Sequence, residues 1–455
     1  MTYIFHVRPW FLDFFLHLEK IIREDNDEIE IIFLTMNVVC FKKLKDTKRK
    51  VFHLPEEFIN TGKLSKAVLE IWENKLMSKF DIGFNLLHQM ERFKPDNRKH
   101  SCEFINSHIK WFIENIPNDS RLISLSCDHF VYMLSGIINS LKGGENYYIQ
   151  PIGFPLESQV IMKNPWDLNL HRSEALNKSV LEDYVLSLTL RPEKSIHYMK
   201  PQKLVSLSAS VQKRIQQLFT PSVENNMFAY LEEKSKGMIP GRFKKLKPNS
   251  KLRIDVSNLS SISADKLFYY PLQMEPEMSI LAYSPWYQDQ IEVIRLISQS
   301  MKSGDLLLLK ENPKMIGKRR REFYKEIDSF HNILWADPKM NSREIIKNAF
   351  KTISITGTAT IEAACLGKNS LIFGYPPFRD LLVERPIASQ SISDLINILY
   401  KEYSSEEIDS QIKKGWDNFS KSLFKGNFTP QVVNDRVTIK NAQALSKSFY
   451  TEVLQ

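Results

Sequence analysis

The sequence predicts an α/β protein built from two doubly wound domains. Short apolar runs alternate with segments whose apolar residues recur at helical spacing. Each half of the chain contains its own series of such alternating segments. A basic stretch with Pro and Gly at 238–251 separates the two halves. Strand–helix–strand alternation is typical of a parallel sheet with helices on its faces. The chain has 455 residues, a length that suits two or three domains rather than one core.

The first half begins with clear strand and helix signals and then becomes polar. We predict strands at 3–7, 28–34, 122–126 and 147–152, and helices at 11–23 and 130–141. The segment at about 160–250 is polar, rich in helix signals and poor in strand signals. We therefore expect an N-terminal domain at 1–250 that contains a helical insertion at about 160–250.

The second half repeats the strand–helix unit more regularly. We predict strands at 266–270, 306–309, 332–335, 352–356 and 370–373, and helices at 288–301, 319–328, 342–350 and 360–366. Ser342 is a candidate N-cap, and Gly367 follows the end of the last of these helices. A second α/β domain is expected at 251–400, followed by a polar, helical tail at 401–455.

Composition indicates a soluble globular protein of a reducing compartment. Hydrophobic residues make up 43% of the chain and charged residues 25%. The net charge of +9 fits an anionic ligand or a membrane surface, but acids and bases are mixed, so we expect no nucleic-acid partner. The four cysteines are far apart and form no CxxC pair, which argues against disulfides and a zinc site: Cys40, Cys102, Cys127 and Cys365.

Neither a secretory signal nor a membrane span is expected. The first ten residues lack a basic start and a cleavage site, and no stretch approaches ~18 uncharged apolar residues. A cytoplasmic location is the expectation, and a role at the inner face of the membrane would require docking from the cytoplasm.

The turn at 356–362 is the first candidate for ligand binding. An apolar strand runs into Gly357, Thr358 and Thr360 before a helix begins, and Glu362 lies in the first turn. Backbone N–H groups and hydroxyls at such a point can hold a phosphate, and Glu362 can accept a hydrogen bond from a ribose. The alternative is an ordinary strand–helix turn in which these residues act as caps.

Lys310 is the second candidate, because it directly follows a strand of four leucines. Arg319 comes nine residues later in a basic stretch, and both cations suit a phosphate or diphosphate. For most of 318–321, a solvated helix face is the more ordinary interpretation.

A third group of polar residues follows the strand at 266–270. Gln273, Glu275 and Glu277 lie on this loop, where they can supply a nucleophile, a general base or contacts to sugar hydroxyls. Solvated loop acids remain the alternative.

The histidines give no metal site, since His6, His129 and His331 lack a partner three or four residues away. His129 follows a strand of the first domain, where an acceptor-side role or a structural one is open. The chain contains no G-x-S-x-G or Walker motif.

Taken together, residues 265–380 resemble the capsule polysaccharide biosynthesis family, which includes the retaining β-Kdo glycosyltransferases. The resemblance rests on the stretches 270–279, 306–319 and 353–374 in that order. It implies a GT-B-like fold, in which two Rossmann-like, doubly wound domains face each other across a cleft. It also implies transfer of a sugar from a nucleotide-activated donor to a glycan or glycolipid acceptor, with no metal and no cofactor besides the donor.

The resemblance assigns roles to individual residues. Gln273, Glu277 and Ser279 match the family's strand-end motif, and Glu277 takes the place of its catalytic Asp. Asn312 takes the place of the family's His in the segment that begins with Lys310, and Arg319 fits the same pattern. The turn from Gly357 to Glu362 would bind the nucleotide. These implied roles, with Glu275 and His129 as additional candidates, complete the expected site.

The chain departs from the family pattern at two positions, because Glu277 stands in place of an Asp and Asn312 in place of a His. These departures leave the identity of the donor open. Neutral Asn312 can donate a hydrogen bond to a phosphate but carries no charge. The donor is therefore expected to be either CMP-Kdo-like or another nucleotide-activated sugar. The alternatives are transfer of a polyol phosphate by an enzyme of related fold and a catalytically silent scaffold of glycan assembly. A nucleotide-sugar epimerase of similar fold is a weaker alternative, because no catalytic set for it can be identified in the sequence.

Overall fold

The fold is known from a computed structural model, which describes most of both halves of the chain. The described residues are 1–83, 98–125, 130–152, 158–164, 170, 181–182, 185, 253–254, 259, 261–275, 277–313, 315–316, 319, 321–384, 386–387, 392–425 and 439–455. The predicted domain junction at 238–251 and nearly all of the predicted insertion at about 160–250 lie outside these ranges.

Seven strands form the first sheet, in the order β3-β2-β1-β4-β5-β6-β13. Strands β1 to β5 run parallel, whereas β6 is antiparallel to both β5 and β13. Their bounds are β1 Thr2–Val7, β2 Glu30–Thr35, β3 Val51–His53, β4 Arg121–Leu125, β5 Glu145–Pro151, β6 Ser158–Met162 and β13 Leu423–Lys425.

Six parallel strands form the second sheet, in the order β12-β11-β8-β9-β10-β7. These strands are buried on both faces, as expected for a parallel sheet covered by helices. Their bounds are β7 Arg253–Ile254, β8 Leu267–Pro271, β9 Leu306–Lys310, β10 Ile333–Ala336, β11 Lys351–Ser354 and β12 Ser370–Ile372.

Helices connect the strands of both sheets. In the first half they are α1 Leu12–Asp25, α2 Val38–Asp46, α3 Leu54–Thr61, α4 Lys66–Phe80, α5 Arg98–Asn115 and α6 Phe130–Leu141. In the second half they are α7 Met278–Tyr283, α8 Gln290–Ser300, α9 Arg321–Ile327, α10 Ser342–Asn348, α11 Ala359–Cys365, α12 Leu395–Tyr400, α13 Ser405–Phe419 and α14 Ile439–Phe449. No helix within the described ranges is long and apolar enough to cross a bilayer.

The predicted α/β fold class is confirmed, because each half contains the same doubly wound core. The order β3-β2-β1-β4-β5 in the first sheet corresponds to β10-β9-β8-β11-β12 in the second. This is the strand order of the Rossmann fold, so the two units are Rossmann-like, as in GT-B proteins. The predicted strands are found with ends shifted by at most two residues.

One cap differs from the prediction. Asn341, not Ser342, is the N-cap of α10, and its side chain accepts a hydrogen bond from the backbone N–H of Arg343 at 3.0 Å. Ser342 is the first helical residue, and its hydroxyl is used by other side chains of the second half.

The end of the chain returns to the first sheet. Leu423–Lys425 pairs with β6, so the tail that we predicted to be helical also supplies a strand. Helix α14 then packs on α1, where the rings of Phe14 and Phe449 lie 6.1 Å apart. The halves also meet directly, since the Tyr283 hydroxyl donates to Met162 Sδ at 3.6 Å. The last residues of the chain therefore help to hold the first sheet.

Replacing Gly136 with alanine should destabilise the protein by about 1–3 kcal/mol. Gly136 lies in α6, and a Cβ there would lie 2.7 Å from Cζ of Tyr148. Tyr148 has no room to move, because it is fully buried and its hydroxyl donates to the backbone oxygen of Tyr132 at 3.0 Å. Urea unfolding measures the loss.

The Tyr148→Phe background is the control for this prediction. Since the hydroxyl of Tyr148 is the atom nearest to the added methyl group, alanine at position 136 should cost less there. An equal cost in both backgrounds would contradict the proposed collision.

Candidate active site at the carboxyl edge of the second sheet

The three predicted stretches meet at one edge of the second sheet. They follow β8, β9 and β11, which are adjacent and parallel, so their carboxyl ends share an edge. The chain reverses its winding direction between β8 and β11, and ligands of doubly wound sheets bind at such a switch point. The fold thus brings together residues that are up to 89 positions apart in sequence, as between Gln273 and Glu362.

Gln273 connects the two strand ends on either side of the switch point. Its Nε2 donates to Thr356 Oγ1 at 2.8 Å, and its Oε1 accepts from the Thr356 N–H at 3.0 Å. Its backbone N–H donates to Gln290 Oε1 at 2.8 Å, and Gln290 Nε2 donates back to the Gln273 oxygen at 3.1 Å. Gln273 is only 9% exposed. This geometry favours a positioning role for Gln273 over the predicted catalytic one.

The turn after β11 is tightly built around Gly357. Its N–H donates to Ser354 Oγ at 3.0 Å, and a Cβ at this position would lie 2.5 Å from the same oxygen. Thr360 is fully buried, and its hydroxyl donates to the Gly357 oxygen at 2.9 Å. We expected the Gly357 N–H and the Thr360 hydroxyl to face a phosphate, but both groups form hydrogen bonds within the turn itself. Thr358 is half-buried at the start of α11, with its Oγ1 3.5 Å from Glu362 Oε1.

Lys310 is the last residue of β9, and Glu362 lies in the first turn of α11. Lys310 is 9% exposed, and its Nζ donates to Ser342 Oγ at 3.1 Å. Burial lowers the pKa of the Lys310 ammonium, and the carboxylates of Glu362 and Asp337 oppose that shift. Burial raises the pKa of Glu362, which Arg343 and Lys310 oppose. The charges of Lys310 and Glu362 therefore influence each other, and the nucleotide-binding role of both residues stays a prediction.

Arg319 lies in a buried ion-pair cluster. Its Nε donates to Glu311 Oε2 at 2.8 Å, Nη1 pairs with Glu275, and Nη2 donates to the Gln273 oxygen. The side chains of Arg319 and Glu311 are each 2% exposed. Tyr324 also donates to Glu311 Oε2, at 2.8 Å. This placement does not fit the phosphate contact predicted for Arg319, because two carboxylates already neutralise its charge.

Glu275 shares this cluster and is held on two sides. Its Oε2 pairs with Arg319, and its Oε1 accepts from the Gln290 N–H at 3.4 Å. Burial raises the pKa of Glu275, and the charge of Arg319 opposes the shift. Arg319 consequently fastens the loop after β8 to the loop after β9.

The remaining predicted residues lie around these clusters. Glu277 is half-buried and precedes the first residue of α7 with an extended backbone. Ser279 is half-buried in the first turn of α7, and Asn312 is half-buried with its N–H donating to Glu311 Oε1 at 2.8 Å. His129 lies outside the described residues.

The other two histidines lie away from the site. His6 is buried in β1, with its ring 4.7 Å from that of Tyr132, and His331 is exposed before β10. No cluster of metal-binding side chains occurs among the described residues.

Several residues of the site escaped the sequence reasoning. The sequence could have pointed to Glu311 and Gln290, because each is a polar residue at a position that the neighbouring strand or helix pattern predicts to be buried. Tyr324 and Ser342 carried no such signal, since their partners are distant in sequence. The full set is Gln290, Glu311, Tyr324, Ser342 and Ser354.

A cavity of about 810 Å³ lies elsewhere, on the first half of the chain. It is lined by residues of α1, the start of β2 and the segment before β3, among them Arg23, Lys48 and Arg49. Glu19 partly neutralises the positive charge of the cavity, because both Arg23 and Arg49 donate to its carboxylate. The cavity thus does not belong to the candidate active site.

Comparison with known proteins gives structural neighbours only. No family model and no curated protein matches the chain. Among solved structures, the beta Kdo 2,7 transferase KpsC of Thermosulfurimonas dismutans is 14% identical, with a TM-score of 0.29 over 70% of this chain and 90% of that one. Anabaena HepE in complex with UDP and glucose is 10% identical, with a TM-score of 0.27 over 99% and 100%. The UDP-GlcNAc 2-epimerase of Methanocaldococcus jannaschii is 11% identical, with a TM-score of 0.21 over 99% of each chain.

These neighbours do not settle the activity. They include both transferases and epimerases, and every TM-score among the three is below 0.5. The Rossmann-like assignment of both halves rests on their strand order.

Proposed function

We propose that the chain is a glycosyltransferase that moves a sugar from a nucleotide-activated donor to a surface polysaccharide or glycolipid. The observation that carries the proposal is the convergence of three motifs at the switch point of the second sheet. Glu277, Lys310 and Glu362 all lie at the carboxyl ends of adjacent parallel strands or at the first turn beyond them. A carboxylate that can act as a nucleophile and a cation that can hold a phosphate are two groups that a double-displacement transfer from a nucleotide donor uses.

The nucleotide would lie against the turn after β11 and the end of β9. Lys310 would supply positive charge to the phosphate, and Glu362 would accept a hydrogen bond from the ribose. Because Arg319 is already neutralised by Glu275 and Glu311, Lys310 carries this task without it. Asn312 would add a neutral hydrogen-bond donor to the phosphate.

Glu277 would act as the nucleophile in a double displacement. Its carboxylate oxygen would form a bond to the anomeric carbon while the bond from that carbon to the phosphate oxygen breaks, and the electron pair would leave with the nucleotide. A hydroxyl oxygen of the acceptor would then attack the anomeric carbon while the bond to Glu277 breaks and its electron pair returns to the carboxylate. The hydroxyl proton would pass to water, and two displacements at the anomeric carbon retain its configuration. Metal independence is part of the proposal and is tested by transfer in the presence of a chelator.

A catalytically silent scaffold is the second candidate function. It is favoured by one specific observation: the charge of Arg319 is neutralised by Glu311 and Glu275. The presence of Asn312 in place of the family's His also fits a scaffold. Incubation of the purified chain with CMP-Kdo, UDP-sugars and CDP-polyols separates the two candidates. Release of nucleotide from CMP-Kdo or a UDP-sugar supports the glycosyltransferase, release from a CDP-polyol supports a polyol-phosphate transferase instead, and no release from any donor supports the scaffold.

Lys310→Ala should weaken nucleotide binding by about tenfold, because one charge-assisted contact to phosphate is lost. Titration calorimetry measures the affinity for the nucleotide that the wild-type chain prefers. Lys347→Ala removes an exposed lysine of α10 and serves as the matched control. Equal affinity of Lys310→Ala and the control would remove Lys310 from the site.

A further inference from the structure

Helix α2 of the first half presents an unusual density of unpaired positive charge. Lys42, Lys43, Lys45 and Lys48 lie within seven residues of one another on α2 and the turn after it, and all four are exposed. None of them makes an ion pair within the described residues, although Lys45 Nζ lies 5.4 Å from the ring of Phe41. We call these four residues the lysine surface.

The residues next in sequence do not belong to this surface, because their charge is already neutralised. Arg49 Nε lies 2.5 Å from Glu19 Oε2, and Lys50 Nζ lies 2.6 Å from Glu30 Oε1. Asp46 is the one acid on α2 itself. The lysine surface therefore carries four positive charges against one negative charge on α2. The charges of Arg49 and Lys50, in contrast, are each neutralised by a glutamate.

An exposed apolar side chain accompanies the lysines on α2. Val39 is 56% exposed, whereas Phe41 is half-buried with its ring stacked 5.5 Å from that of His53, and Cys40 and Leu44 face the core. A helix that carries several exposed lysines and an exposed valine fits the boundary between lipid headgroups and acyl chains. A soluble polyanion would gain nothing from Val39, and this distinction favours a bilayer.

A role in helix stability alone would explain only part of this pattern. Lys43 and Lys45 lie in the last turn of α2, where positive charge stabilises the helix dipole. Lys42 lies earlier, and Lys48 lies beyond the helix, so neither is explained in this way. The exposure of Val39 is not explained by it either.

We propose that the lysine surface docks the protein on an anionic bilayer. Each lysine would lie near the negative headgroups, and Val39 would enter the headgroup region. Clusters of four or more cations on one helix attract anionic lipids in a way that weakens with salt. This proposal does not depend on the proposed transferase activity, because it concerns a different part of the molecule.

Co-sedimentation of the full chain with lipid vesicles tests the proposal. We expect binding to vesicles that contain phosphatidylglycerol, weaker binding at higher salt, and little binding to pure phosphatidylcholine. Replacing all four lysines of the lysine surface with glutamine should lower the affinity for phosphatidylglycerol vesicles more than tenfold. Val39→Ser should weaken binding as well and leave its salt dependence unchanged.

A second set of four lysines provides the matched control, because it removes the same charge from other exposed helix and turn positions. The control replaces Lys325, Lys347, Lys414 and Lys421 with glutamine. Equal losses in both quadruple variants would overturn the proposal, since net charge alone would then explain binding. Absence of vesicle binding by the wild-type chain, or binding to soluble dextran sulfate but not to vesicles, would also overturn it. Circular dichroism confirms that each variant is folded.

Discussion

Replacing Arg319 with methionine should lower the free energy of unfolding by about 3–5 kcal/mol. The substitution leaves Glu311 buried with no cation beside it, and it also frees Glu275 and the Gln273 oxygen. Removing one partner of a buried ion pair is costly because the remaining charge stays away from water. Urea unfolding at neutral pH measures the effect.

Arg295 is a matched control for this prediction, since it also pairs with two glutamates. Its partners are Glu292 and Glu326, but all three residues lie at the surface. Water stabilises the charges that remain there, so Arg295→Met should unfold close to the wild type. A double variant with Glu311→Gln should recover part of the loss at Arg319. Equal effects at positions 295 and 319 would contradict the buried cluster.

Glu277→Gln should reduce transfer by roughly 1000-fold or more, because an amide cannot act as the nucleophile. Nucleotide affinity should stay near that of the wild type, since Glu277 is not among the residues proposed to bind the nucleotide. Release of nucleotide from the accepted donor measures the rate, and calorimetry measures the affinity.

Glu344→Gln is the control for the change at Glu277, because Glu344 is an exposed glutamate of α10 outside the site. It should leave the rate unchanged. Turnover of Glu277→Gln at the control rate would exclude Glu277 as the nucleophile. Loss of nucleotide affinity together with turnover would instead point to a structural role.

The fold was predictable because its elements carry strong local signals. Leu306–Lys310 is a run of leucines buried on both faces, and Gln290–Ser300 buries the apolar positions at helical spacing. The strand at Leu423–Lys425 was not predictable, because three residues carry no periodicity and its partner β6 lies more than 250 positions earlier. Its pairing is fixed by tertiary contacts alone.

The candidate site was predictable in position but not in detail. Strand ends of a parallel sheet share an edge, and this rule placed Gln273, Lys310 and Gly357 together. The rule does not say which way a side chain turns. Arg319 and a phosphate-binding arginine look identical in sequence, and only the distances to Glu311 and Glu275 reveal that its charge is already neutralised.

Nucleotide binding at the carboxyl edge of the second sheet is the central claim, and titration calorimetry against CMP, CDP, UDP and GDP tests it most directly. We expect one nucleotide to bind preferentially, with an affinity that Lys310→Ala lowers and Lys347→Ala does not. CMP preference would favour a Kdo-like donor, and preference for a diphosphate nucleotide would indicate another activated sugar. No binding of any of the four, or binding that is indifferent to Lys310, would contradict the account.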